Sequence, residues 1–353
     1  MNKMKYVISV LNEITDNETV VVSPCETTLY KYVKGSYTKI AQNVSLKTFD
    51  SLRSKYKLLR AFGYGITKLQ FILYLLRNIR SADTIVVYHS LALMRTIRAI
   101  KKIKKCNLII EAEELYSDVT EDEKLRKKEI QYLQIADKYI VITELLNKQI
   151  NLSGKTRIIS HGTYRTNPKY SDKFDDGKVH VVYAGSFDPI KGGGISAIES
   201  AAFLDKHYVL HILGKGTPSQ NEMMIHKIAE ISQKTECEIV FEGYKTGKEF
   251  DAFIQSCHIG LSTQQPDGKY NASSFPSKVL MYMSNGLPVV SVRIPAIETS
   301  EVGEYVYYYD TPSPENIAQA IQSVPLDKDL NVSDKLDTLD KEFKEGLAEL
   351  LQF

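Results

Sequence analysis

The stretch "VVYAGSFDPIKGGG", Val181 to Gly194, decides how this chain is built. A run of β-branched and apolar residues reads as a buried strand, and it ends at Gly185. A short loop then reaches Lys191 and the glycines Gly192 to Gly194, before a helical stretch from about Gly194. Glycine lets the backbone approach a ligand, a helix start offers unpaired N–H groups, and lysine adds a mobile charge. Together they suit a phosphate. The spacing is neither GxxxxGK[ST] nor GxGxxG, and a tight structural connection explains such a turn as well.

Outward from this point, short β-branched runs alternate with amphipathic stretches, the mark of a parallel α/β architecture. Later strands are "YVLHILG", "CEIVFEG", "HIGLST", "LPVVSV" and "EYVYYYD", separated by helical stretches. Earlier strands are "KYVISVL", "ETVVVS", "TIVVYHS", "NLIIEAE", "KYIVIT" and "TRIISHGT". Helices are expected around Lys55–Arg80, Ala92–Lys105, Lys124–Ala136 and Glu144–Leu152. The polar segment "YRTNPKYSDKFDDGK" lacks periodicity and reads as a linker. At 353 residues the chain fits two domains of about 150–200 residues each. The expected division is 1–165, a linker at 166–178, a second domain at 179–330, and a last helix in 331–353 that packs back on the first domain. Two Rossmann-like domains imply a cleft, with ligands at the carboxyl ends of the strands.

Composition narrows the class. There is no run of eighteen apolar residues, and "MNKMKYVISVLNEIT" lacks a small-residue cleavage site, so neither a membrane span nor a signal peptide is expected. Cys25, Cys106, Cys237 and Cys257 are widely spaced without a CxxC pair, which argues against a disulfide framework or a zinc site and fits reduced thiols in a cytosol. The net charge of +2 hides an asymmetry: residues 1–165 hold 28 Lys and Arg against 16 Asp and Glu. Thirteen of the basic residues lie between Arg53 and Lys105, where Asp83 is the single acid. That basic, amphipathic surface suits an anionic bilayer; a solvated helix face is the plain alternative. Nucleic acid is disfavoured, because no recognition module is present and the other half is acidic.

A second clue is "SSFPSKVLMYMSNGLPVVSV", Ser273 to Val292. Pro276 suits a first helical turn, Ser273 or Ser274 suits a cap, and Lys278 falls in the same turn. A cation opposes the macrodipole there, so an anion bound between them would explain it; a solvated lysine would not need one.

These segments, with "HILGKG" and "FEGYKTGKEFDAFIQSCHIGLST" between them, resemble in order and spacing the donor domain of GT-B glycosyltransferases, most nearly the retaining group 1, or family 4, enzymes of bacterial polysaccharide assembly. The resemblance covers about Val179 to Val324, with the first half matching in outline. It implies a nucleotide-diphosphate sugar donor and a glycan or lipid-linked acceptor. Carried over, Gly185, Lys191, Gly192, Lys278 and the N–H groups after Ser274 would face the diphosphate, and Glu242 to Tyr244 would lie beside the base. Lysines and a helix start would stabilise the departing nucleoside diphosphate without a metal. The family's two glutamates correspond to Ser273 and Met281, and its loop arginine to Ser186. Asp267, Lys269 and Asn271 are the candidates to bind the sugar instead.

In the first half, His89 ends a strand and matches a family histidine near the reacting carbon; an ordinary polar strand end is the alternative. Glu113 is the candidate acceptor-side base and Tyr116 an acceptor contact, while His161-Gly162 is read as hinge. The expectation is therefore a glycosyltransferase at the cytoplasmic face of the membrane. The rivals are a silent GT-B subunit that supports a partner transferase and, third, a nucleotide-sugar epimerase.

Overall fold

The computed structural model describes residues 3–24, 30–152, 154–189, 192–266, 268–327 and 331–352. The first half opens with helix α1 (Lys3–Ile14) and continues through short strands β1 (Thr19–Ser23), β2 (Tyr32–Val33), β3 (Tyr37–Ala41), β4 (Val44–Thr48) and β5 (Ser51–Leu52). Then follow α2 (Lys57–Asn78), β6 (Thr84–Tyr88), α3 (Met94–Lys104), β7 (Asn107–Ala112), α4 (Tyr116–Thr120), α5 (Glu123–Leu133), β8 (Lys138–Val141), α6 (Glu144–Ile150) and β9 (Thr156–Ile159).

The expected first strand, "KYVISVL", is instead α1. Its buried residues are Lys3, Tyr6, Val7, Val10 and Leu11, a spacing of three and four that fits one face of a helix and not alternation. Its β-branched residues suggested a strand, and the period overruled them. A second departure concerns the sheet. Strands β6-β7-β8-β9 form a parallel sheet in that order, whereas β1-β4-β3 and β2-β5 form two separate small sheets. The hairpin of β3 and β4 and the β2–β5 pair are antiparallel.

The second half runs β10 (Val179–Ser186), α7 (Gly193–Ser200), β11 (Tyr208–Lys215), α8 (Pro218–Ser232), β12 (Glu238–Gly243), α9 (Gly247–Ser256), β13 (Ile259–Ser262), α10 (Ser277–Met283), β14 (Val289–Val292), α11 (Pro295–Glu298), β15 (Val306–Tyr309) and α12 (Pro314–Gln322), and the chain closes with α13 (Val332–Leu350). All six strands pair in parallel, in the order β12-β11-β10-β13-β14-β15. The order reverses between β10 and β13, which is where open α/β sheets bind ligands.

Residues 166–178 carry no regular structure but lie along the second domain. The Asn167 N–H donates to the Ser284 carbonyl at 2.7 Å and the Phe174 N–H to that of Ser256 at 2.9 Å. Helix α13 instead returns to the first domain. The Tyr6 hydroxyl donates to Asp340 at 2.7 Å, the Tyr6 and Phe343 rings stack at 5.0 Å, and Lys138 donates to the Leu350 carbonyl. Cys106, Cys237 and Cys257 are buried and unpaired, and burial pushes the Cys237 thiol up to about 12. Cys25 lies outside the described residues.

Candidate active site

The switch point is built from close packing. Gly185 is the next-to-last residue of β10, and a β-carbon there would stand 2.5 Å from Cε and 3.0 Å from Nζ of Lys278. The glycine thus makes room for the lysine, which reaches from the first turn of α10 to the strand end. Its ammonium lies 4.8 Å from the centre of the Tyr183 ring and 3.5 Å from the Tyr183 hydroxyl. That hydroxyl also borders Gly193, and Thr263 after β13 donates to the Gly193 carbonyl at 2.6 Å. The loops after β10 and β13 are therefore joined under the start of α7. Gly192 caps that helix at φ +62°, a conformation that suits glycine. Lys191 lies outside the described residues, as does Asp267.

Gly185→Ala is expected to push the Lys278 side chain aside without unfolding the sheet, because the clash is with the end of a flexible chain. The loss in nucleoside-diphosphate affinity should be roughly 1 kcal/mol, part of a charge-assisted contact, and calorimetry would read it.

A cavity of about 210 Å³ adjoins this point, lined by Gly185, Ser186, Gly214, Lys215, Tyr244 and Phe250 among others. It sits over the ends of β10, β11 and β12. The Lys215 ammonium stands 4.3 Å from the centre of the Tyr244 ring, and that ring is otherwise exposed. Lys215 lines this cavity and was not singled out by the motif reading, although "HILGKG" carries it at a strand end. Glu242 does not line this cavity. Its carboxylate is 2.9 Å from His211 Nδ1, and the chain continues from His211 to His180 at 2.8 Å and from His180 to Asp176 at 3.0 Å. Burial pulls the His211 imidazole below its ordinary range, with the Glu242 contact offsetting part of the effect. The Glu242 carboxylate is therefore engaged with protein groups.

The Ser-Phe-Pro loop answers a different need from the one its sequence suggested. Neither serine caps α10: the cap residue is Pro276, one position before the helix, and no side chain bonds there. Instead the loop spans the cleft. The Ser273 carbonyl accepts a hydrogen bond from Thr143 Oγ1, which also caps α6, and Phe275 stacks on His161 with ring centres 5.0 Å apart. Ser273 is buried to 1% exposure, and among the described residues its hydroxyl and that of Ser274 have no hydrogen-bond partner. Buried hydroxyls are seldom left unpaired, so these two are available to a ligand. Met281, at the family's second glutamate position, packs half-buried against the core, and Asn271 bonds to the Gln265 carbonyl. The Lys269 side chain lies outside the described atoms.

Across the cleft, α4 packs against the turn Lys269–Ala272 and brings Tyr116 to the interface. His89 lies beneath, at 1% exposure, with its ring 5.4 Å from that of Tyr116. His89 Nε2 donates to Glu129 Oε1 at 2.7 Å, and the same carboxylate accepts the N–H groups of Tyr116 at 2.9 Å and Ser117 at 3.0 Å. Glu129 was not legible as part of the site, since it sits within the polar-looking "EDEKLRKKEI". The bond fixes Nε2 as protonated and leaves Nδ1 without a partner among the described residues. Glu113 is half-buried and accepts from the Tyr88 hydroxyl at 2.9 Å. Glu111 is buried against Lys3 at 3.4 Å, and burial raises its carboxyl above the ordinary range. His161 donates from Nδ1 to the Ile142 carbonyl at 2.7 Å; burial pulls its pKa down to about 4 and keeps it neutral. Among the described residues no group of three His, Cys, Asp or Glu side chains is placed to hold a metal ion.

Residues 178–326 match the family described as glycosyl transferases group 1. The whole chain is similar in fold to a UDP-forming α,α-trehalose-phosphate synthase from Burkholderia xenovorans, with a TM-score of 0.71 at 11% identity over 99% of this chain and 97% of that one. A trehalose-6-phosphate structure from E. coli bound with UDP-2-fluoro glucose superposes with a TM-score of 0.66 at 10% identity, covering 100% and 96%. A sucrose-phosphate synthase from Thermosynechococcus elongatus does so with 0.62 at 12% identity, covering 92% and 82%. No curated protein matches the sequence.

Proposed function

We propose, from the fold and from the match of residues 178–326 to the group 1 glycosyltransferase family, that the chain transfers a sugar from a nucleotide diphosphate to a glycan or lipid-linked acceptor in cell-surface polysaccharide assembly. The observation that carries this reading is the Lys278 ammonium held against Gly185 at the switch point, beside the 210 Å³ cavity. The donor's diphosphate would sit at Gly185, Gly192 and Lys278, with Lys191 expected to join them, and its base over Tyr244 and Lys215. As the bond to the sugar breaks, negative charge grows on the leaving phosphate. A fixed ammonium in a partly dry cleft then stabilises the transition state more than the ground state. The free hydroxyls of Ser273 and Ser274 would take part of the donor contact that glutamate makes in the family. His89, Glu113 and Tyr116 would form the acceptor side, and the departing phosphate itself would take the acceptor proton, with retention of configuration.

The test is incubation of the protein with UDP- and GDP-sugars, with and without a membrane lipid extract. Nucleotide release that depends on the extract supports transfer. Tight nucleotide binding without release would replace transfer by a supporting, silent subunit, for which the two missing family glutamates, at Ser273 and Met281, are the motive. Isomerised sugar would replace it by an epimerase. Tyr244→Ala is expected to weaken nucleotide binding by roughly 1 kcal/mol, the scale of a ring-stacking contact, and calorimetry would show equal loss for UDP and UDP-sugar.

A further inference from the structure

Helix α2 has one apolar stripe too many. Its buried residues are Gly63, Thr67, Phe71 and Leu75, which lie on one side and pack toward Phe49, Asp50 and Leu52. At about 100° per residue, Leu58, Phe62, Leu69 and Leu73 fall within about 60° of one another on the opposite side. Those four are 86%, 65%, 57% and 39% exposed. A helix that only covers a core needs a single stripe. The second one therefore faces something outside the fold.

Charge identifies what it faces. No Asp or Glu occurs between Asp50 and Asp83, while Arg53, Lys55, Lys57, Arg60, Lys68, Arg77 and Arg80 do. Lys57, Arg60, Lys68 and Arg77 form no ion pair among the described residues. The first turn of α2 has no acidic residue and no side-chain cap, so Lys57 and Arg60 sit unfavourably against the helix dipole. A negative surface would relieve that, whereas a second copy of the same helix would add like charge. The neighbouring α3 extends the basic field with exposed Arg95, Arg98 and Lys102 and an exposed Ile103. No described helix is long and apolar enough to cross a membrane. The geometry points to α2 lying in the plane of an anionic bilayer, with Leu58, Phe62, Leu69 and Leu73 in the headgroup boundary, Arg77 beside the stripe at lipid phosphates, and the other cations adding longer-range attraction to the anionic surface. The assignment rests on the proposed lipid-linked acceptor for its purpose, and on the stripe and the charge for its physics.

The chain contains no tryptophan. A Phe62→Trp variant of the full chain thus carries a single reporter on the stripe. With vesicles of about one-third phosphatidylglycerol its emission should shift to the blue, and sedimentation should show about tenfold stronger partition than on pure phosphatidylcholine, weakened by salt. Leu58→Ser/Phe62→Ser/Leu69→Ser should lower that partition about tenfold, with the melting temperature and nucleotide affinity unchanged. No blue shift, or equal partition of the triple variant, would overturn the assignment. A concentration-dependent dimer that the triple variant abolishes, without any loss of vesicle binding, would give the stripe to a second copy and overturn it too. Failure on vesicles with acceptor-dependent nucleotide release intact would remove the docking face and leave the transfer reaction standing.

Discussion

Lys278→Ala is expected to weaken binding of UDP or GDP by about 1.5–3 kcal/mol, or roughly ten- to a hundredfold, when measured by calorimetry. The reason is geometric. Lys278 stands in the first turn of α10, and it is folded over Tyr183 onto Gly185 near the end of β10, where no side chain blocks it. A bound diphosphate would give that ammonium a charge-assisted contact. Lys278→Arg should recover only part of the affinity, since a planar guanidinium does not fit the space left by Gly185. Stability should change little, because the ammonium is not fully buried and the helix packs through Val279, Leu280, Tyr282 and Met283. If Lys278→Ala binds both nucleotides as the parent does, the donor site is elsewhere.

Glu129→Ala should destabilise the first domain by about 3–5 kcal/mol in urea titrations, the cost of removing one partner of a buried hydrogen-bonded pair. Glu129 has no exposure, and its carboxylate holds His89 and two N–H groups at the start of α4. Without it three donors are left unpaired in the interior. Glu129→Gln, which keeps an acceptor, should cost about half as much. Burial pushes this carboxyl up, but the bonds from His89, Ser117 and Tyr116 outweigh that and hold it below the ordinary range. A lowered folded-state pKa means that the contribution is present above the unfolded value of a glutamate and is lost as pH falls through the folded one. The parent should therefore lose stability below about pH 4.5 more steeply than Glu129→Gln does. Nucleotide affinity should be untouched by either variant, while acceptor-dependent release falls as Tyr116 and His89 loosen. Unchanged stability in Glu129→Ala would mean that the bonds contribute nothing net, and a change in nucleotide affinity would mean that the two sides of the cleft are not separate.

The second domain was readable because its physics is local. Strands buried on both faces leave continuous apolar runs, such as Val181 to Ala184, and the helices between them keep their period. Gly185 and Lys278 were legible as a pair only through order and spacing, and their contact joins residues far apart in the chain. The first domain resisted for two reasons. In α1, β-branched residues obscured a helical period, and in Tyr32–Leu52 short antiparallel pieces are stabilised by neighbours and not by a pattern of their own. Glu129 was hidden because a charged run reads as solvated surface until something folds over it.

The sequence by itself determined the alternation of strands and helices in the second half and the basic charge of the first, since each depends on neighbours within a few residues. Only the tertiary structure decided that Glu242 turns to a histidine, that Phe275 stacks across the cleft on His161, and that α2 shows an apolar stripe to the outside. Burial and hydrogen-bond partners are properties of the packed whole. A side chain's role is settled by which distant surface closes over it, and a chain read residue by residue does not carry that.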